Sequence, residues 1–115
     1  MRTLIFTSLS HMSPNQRKEI MDKYPGIVAQ RDNLKEKSNW KDSSMVLKVI
    51  DGYKILHVKV KDISYNKLFE VFSKINLNKE KLGHKFYVYL PNCLSKEASE
   101  VIVRSASKEI NVEMR

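Results

Sequence analysis

Two short stretches hold residues whose types and spacing could do chemistry. Lys48, Tyr53, His57 and Lys59 flank Asp51-Gly52, and Lys85, Tyr87 and Tyr89 alternate through KFYVYL. In extended chain, alternate side chains share a face, so each set presents rings and cations on one side. Rings stack on nucleobases and lysines neutralise phosphates, and each stacked base contributes about 1–3 kcal/mol. Trp40 between Lys37 and Lys41 is a third grouping of the same kind. Together these residues form the candidate nucleic-acid-binding set.

The element that must position the first set is a hairpin over residues 45–60. Asp-Gly between apolar runs is the strongest short-range hairpin signal, because a type I′ turn needs positive φ at both central residues. A two-residue loop pairs Ile50 with Tyr53, Val49 with Lys54, Leu47 with Leu56 and Met45 with Val58. One face then carries Met45, Leu47, Val49, Leu56, Val58 and Val60, a core face. The other carries Val46, Lys48, Ile50, Tyr53, Ile55, His57 and Lys59. Lys85, Tyr87 and Tyr89 join that second face if Phe86 and Val88 point to the core. A half-apolar second face of this kind also suits a dimer interface, or a surface covered by residues 30–44.

Other catalytic chemistry is not legible. His11, His57, His84 and Cys93 lack metal-ligand spacing, and three glycines build neither a P-loop nor a dinucleotide turn. Cys93 precedes a helix start but has no evident base, and reads as a small hydrophobe. Asp51 and Asp62 are accounted for by a turn and a cap. The sequence therefore predicts no enzyme, no cofactor and no metal.

The chain has 115 residues and a formal net charge of +8, with a pI near 9.6. The excess is +3 in residues 1–44, +5 in residues 45–90 and zero in residues 91–115. Such a balance favours polyanionic partners, nucleic acid, an anionic membrane surface or an acidic protein, although charge also serves solubility alone. Mean hydropathy is −0.44, and no apolar run approaches the roughly 18 residues of a membrane span. A single cysteine forms no internal disulfide, so a cytoplasmic, reducing compartment is expected.

Residues 3–9, TLIFTSL, read as a first strand. Ser13-Pro14-Asn15-Gln16 reads as a capping box that opens a helix, stopped by Pro25-Gly26. Ile27 to Ala29 could begin a strand, and residues 30–44 read as a long loop or a helical turn around 32–37. A second helix follows Asp62 or Ser64, with Tyr65, Leu68, Phe69, Phe72 and Ile75 inward. After the Phe86 strand, Ser95 caps a third helix with Ala98, Val101, Ile102, Ala106 and Ile110 inward, and Val112 to Met114 form a last strand or fray. These elements predict one domain over 1–115. Its class is α+β, a two-layer sandwich with a mostly antiparallel sheet of about four to five strands and three helices mainly on one face.

The run LGHKFYVYL is distantly similar to the aromatic strand of RNA-recognition motifs, but lacks their glycine spacing and differs in element order. Hairpin, helix, a strand ending Val-Tyr-Leu and a Ser/Ala/Glu-containing helix resemble the double-wing DNA-binding domain of phage middle-promoter activators. That resemblance implies duplex DNA binding. The primary expectation is a small basic regulator binding RNA or single-stranded DNA through the tyrosine–lysine face. The alternatives are a protein-interaction module, such as a phage-encoded inhibitor or adaptor that docks on an acidic partner or dimerises by that face, and a double-wing modulator of transcription.

Overall fold

The computed structural model describes residues 2–24, 40–50, 52–83 and 85–115. Its elements in chain order are β1 (Arg2–Thr7), a 3-10 turn (Leu9–His11), α1 (Pro14–Lys23), β2 (Met45–Ile50), β3 (Tyr53–Val58), α2 (Tyr65–Leu77), α3 (Lys79–Leu82), β4 (Lys85–Tyr89), α4 (Lys96–Ala106) and β5 (Asn111–Met114). Lys37, the strand start at 27–29 and the helical turn at 32–37 lie outside the described residues.

The five strands form one sheet in the order β2-β3-β1-β4-β5. β1 is parallel to both β3 and β4, and β4 is parallel to β5. Among the described strands only the β2–β3 hairpin is antiparallel, with Ile50 opposite Tyr53 and Met45 opposite Val58, the register that a two-residue loop dictates. Gly52 holds φ at 79°, which glycine tolerates without strain.

Three expectations about the fold are corrected. The sheet is mostly parallel, its layers number three, and the helix count is higher. Leu4, Ile5 and Phe6 have no exposed surface, so β1 is covered on both sides, as central strands of parallel sheets are. Ile5, Leu56, Val58, Phe86, Val88 and Val112 pack beneath Leu68, Phe72 and Ile75 of α2 and Val103 of α4. On the opposite face, Leu4, Phe6, Ile55, Tyr87 and Tyr89 pack beneath Ile20 of α1, with Leu9 and Met12. Among the described residues the helices number four, because the polar connection after α2 contains α3.

Three serines start the helices by the expected local chemistry. Ser13, Ser64 and Ser95 accept hydrogen bonds from the amides of Gln16, Lys67 and Ala98. The inner face of α4 agrees in part with the one predicted: Ala106 is buried and Ile102 and Ile110 pack against the core, but Ser99 and Val103 are buried as well and Val101 is 66% exposed. Leu47 and Val49, expected in the core, stand exposed on the edge strand β2. Asp42 accepts from the Lys61 amide and from Lys67 Nζ, tying residues 40–44 to α2. Those bonds, first the Lys61 amide and then Lys67, hold its carboxyl below the usual range. Among the described residues, no helix is long and apolar enough to cross a membrane.

Candidate functional site

The second sheet face is aromatic, as its alternation predicts, but α1 covers it. Tyr89 is 7% exposed and Tyr87 4%. The Tyr89 hydroxyl meets the Tyr24 hydroxyl at 2.6 Å, and its ring centroid lies 5.4 Å from Phe6. Burial first, and the bond to Tyr24 second, push the Tyr89 phenol above its ordinary value. Tyr53 packs edge-on to Tyr24 at 5.5 Å. His57 is fully buried, with Phe6 at 5.9 Å on one side and Trp40 at 6.0 Å on the other. Lys48 Nζ sits 5.9 Å over the Trp40 ring. Lys85, Arg2 and Arg115 surround the Tyr87 ring at 5.6, 5.6 and 4.6 Å. Lys59 is half-buried beyond the end of β3, where its amide and carbonyl pair with Ser44 and Ser43. Lys41 is exposed at the neighbouring turn. The rings meant for bases are engaged with one another.

The open ground lies at the carboxyl edge of the parallel strands. After β1 the chain departs through α1 on one face towards β2 and β3. After β4 it departs through α4 on the other face towards β5. Between β1 and β4 the connections therefore diverge, and in open α/β sheets ligands bind in the crevice outside the strand ends at such a point. Beside it is a crevice of about 330 Å³. Gln16, Glu19, Ile20 and Lys23 of α1 form one wall, and Tyr89, Asn92, Lys96 and Arg115 form the other.

Gln16 sets this geometry. It is nearly buried, its Nε2 donates to the Leu90 carbonyl at 2.6 Å, and its Oε1 accepts from the Asn92 amide at 3.3 Å. The capping-box reading expected this side chain to fold back on its own helix start. It reaches across instead and pins α1 to the chain leaving β4. Lys23, Lys96 and Arg115 against Glu19 give the walls an excess of positive charge, and Glu113 offsets part of it through Arg115 at 3.4 Å. A concave site lined by one sign of charge concentrates counter-ions, here anions.

A second constellation sits where β1 ends. Ser8 is buried in the left-handed region at φ 56°, where few residues other than glycine settle. Its Oγ donates to the Val60 carbonyl at 3.2 Å and also meets His11 Nδ1. A hydroxyl has one proton, so which of Ser8 and His11 donates follows the imidazole tautomer. The pair braces the corner before α1. Among the described residues, no group of three or more His, Cys, Asp or Glu could hold a metal ion.

Comparison with known proteins bears on the fold. No family model and no curated protein sequence matches the chain. Among solved structures, it is similar to a macrodomain protein from Streptomyces coelicolor, with a TM-score of 0.62 and 9% identity over 99% of this chain and 86% of that one. At that identity the likeness is one of fold. It nonetheless overturns the reading as a nucleic-acid-binding regulator, together with its docking-module and double-wing alternatives. Of the tyrosines on which that reading rested, Tyr87 and Tyr89 are interior and Tyr53 is half-buried, and the architecture is a mostly parallel sheet with helices on both faces.

Proposed function

We propose that this chain binds ADP-ribose or a related nucleoside diphosphate sugar in the crevice at the carboxyl edge of β4 and β5. The observation that carries the reading is the placement of Lys23, Lys96 and Arg115 around that crevice. The fold supports it, since likeness to a macrodomain protein points to an ADP-ribose-binding architecture. In this reading the three cations face the diphosphate, and Asn92 and Tyr89 offer polar groups to the flanking sugar. At about 330 Å³ the crevice is near the lower limit of ligand sites, roughly 300 Å³. It accommodates the diphosphate and one neighbouring group, with the remainder along the rim. The role is binding, and no residue is assigned a chemical step.

Isothermal titration with ADP-ribose, ADP and adenosine tests the reading. ADP-ribose and ADP are expected to bind, adenosine at least tenfold more weakly, and binding to weaken with salt. Lys23→Glu, on the α1 wall, is expected to cost ADP-ribose affinity about tenfold, the scale of a lost charged contact. Absence of binding at millimolar ADP-ribose, or binding indifferent to Lys23→Glu and to salt, would overturn it.

A further inference from the structure

We propose that β2 is the contact by which two copies of this chain pair, edge to edge and antiparallel, about a two-fold axis at Leu47. β2 ends the sheet, with β3 on one side and, among the described residues, no strand on the other. Ile50 and Tyr53 close the two-residue loop, so they exchange both backbone bonds, and the bonded pairs alternate from there. Ahead of the strand, the Lys59 amide donates to the Ser44 carbonyl at 3.0 Å, which keeps the same phase. Ser44, Val46, Lys48 and Ile50 therefore turn their backbone groups to β3. Met45, Leu47 and Val49 turn theirs outward.

The two edges of the sheet differ. Sheet edges are usually blunted by short length, charge, proline or a bulge. β5 is four residues long and carries Asn111 and Glu113. β2 is six residues long and holds no proline, and it pairs without a bulge from Met45 to Ile50. Its one charged residue, Lys48, belongs to the face towards Trp40, with Nζ 5.9 Å over that ring. The outward residues have apolar side chains. Met45 packs against the core beneath α2 and α4, Leu47 is 42% exposed and Val49 63%.

Register selects a second copy as the occupant. A two-fold axis normal to the sheet keeps each face on its own side, so opposed residues share parity. Centred on Leu47, the axis sets Leu47 against the partner's Leu47 and Met45 against the partner's Val49, so every outward residue meets an outward residue. Lys48 then opposes the partner's Val46. Centred on Lys48, the strand would set lysine against lysine, which is destabilising. The flank of α2 nearest the edge is balanced: Lys67 Nζ lies 3.1 Å from Asp42 and 3.4 Å from Glu70, and Lys74 Nζ 3.9 Å from Glu70. A chain of net charge +8 thus presents an uncharged, self-matching strand at this edge, and an acidic partner finds no cation among its outward residues. The tyrosine face takes no part, and the crevice lies away from β2, so the pairing is independent of the ligand reading.

Sedimentation velocity of the full chain, of Leu47→Lys, of Leu47→Glu and of an equimolar mixture of the two variants tests the pairing. The parent mass is expected to rise with concentration from 13.5 kDa towards twice that value. Each variant alone opposes like charges at the axis, and the change enters twice, so dimer affinity should fall about tenfold or more. The mixture should recover the dimer, because lysine then meets glutamate across the axis. A parent that stays monomeric at about 1 mM, that assembles beyond a dimer, or that is indifferent to both substitutions would overturn the proposal. So would a mixture that stays monomeric. Far-UV circular dichroism checks that the variants are folded. Should a Leu47 variant unfold, Val49→Lys, at the more exposed position, is expected to weaken the dimer in its place, and unchanged affinity there overturns the pairing.

Discussion

The two faces of the sheet are filled in different ways. Between the sheet and α2 and α4, Ile5, Val58, Phe86 and Val88 meet Leu68, Phe72 and Val103, an aliphatic and phenylalanine core whose members have no polar tip. Beneath α1 lie Phe6, Tyr87 and Tyr89 beside Tyr24 and Tyr53, and the hydroxyls of Tyr24 and Tyr89 must find partners inside. The first face holds the domain together by area and shape. The second is held by rings and by a few directed bonds, and it is the face whose helix supplies one wall of the crevice. Stability and site-building are thus divided between the two sides of one sheet.

The difference can be broken most forcefully at Phe72, which is fully buried. Phe72→Ala removes a large ring from the apolar face and is expected to cost about 3–5 kcal/mol, a large fraction of a small domain's stability. Urea denaturation measures it as a fall in midpoint. A loss below about 1 kcal/mol would mean that the α2 face is not the principal core.

Gln16 tests the other face at smaller cost. Gln16→Leu keeps an apolar volume but leaves the Leu90 carbonyl and the Asn92 amide without their partner. The expected loss is about 1–3 kcal/mol, with a fall in ADP-ribose affinity that Phe72 substitutions conservative in volume do not share. Equal effects on binding from both faces would remove the distinction drawn here.

What the sequence disclosed follows the same division. The hairpin register, the three serine caps and the Glu100–Arg104 pair at 3.0 Å depend on neighbours a few residues apart, and all are readable in sequence. Strand order is not local. The run Leu4-Ile5-Phe6, buried on both faces, was the available sign of a central parallel strand, but the threonines around it imitate alternation. The tyrosine face was legible as a face and illegible as a covered one, since α1 brings mainly Ile20, a glutamine and a tyrosine rather than a broad apolar stripe. On α4, Ala106, Ile102 and Ile110 follow the apolar period, whereas the inner stripe begins with Ser99, a polar residue that apolar periodicity passes over in favour of Val101. Gln16, Lys23, Lys96 and Arg115 belong to no motif. They come from α1, the start of α4 and the chain after β5, and only the fold assembles them.

The smallest effect expected is at Tyr89, and it separates the faces by pH. Burial, with the bond to Tyr24, holds the Tyr89 phenol above its ordinary value of 10.0. Below that pH the group is neutral whether the chain is folded or unfolded, and contributes no pH dependence. Above it, the unfolded chain loses the proton while the folded chain keeps it, so the unfolded state binds fewer protons and stability falls as pH rises. Tyr89→Phe removes the titrating group and the hydroxyl bond together. It is expected to cost about 0.5–1.5 kcal/mol at neutral pH and to make the alkaline decline shallower than in the parent chain. The core beneath α2 and α4 has no titrating member, so substitutions there should lower the whole curve without changing its alkaline slope. Thermal melts on both sides of the ordinary phenol value give the comparison. Parallel curves for Tyr89→Phe and the parent would show that the phenol titrates freely, and that α1 does not shield the aromatic face.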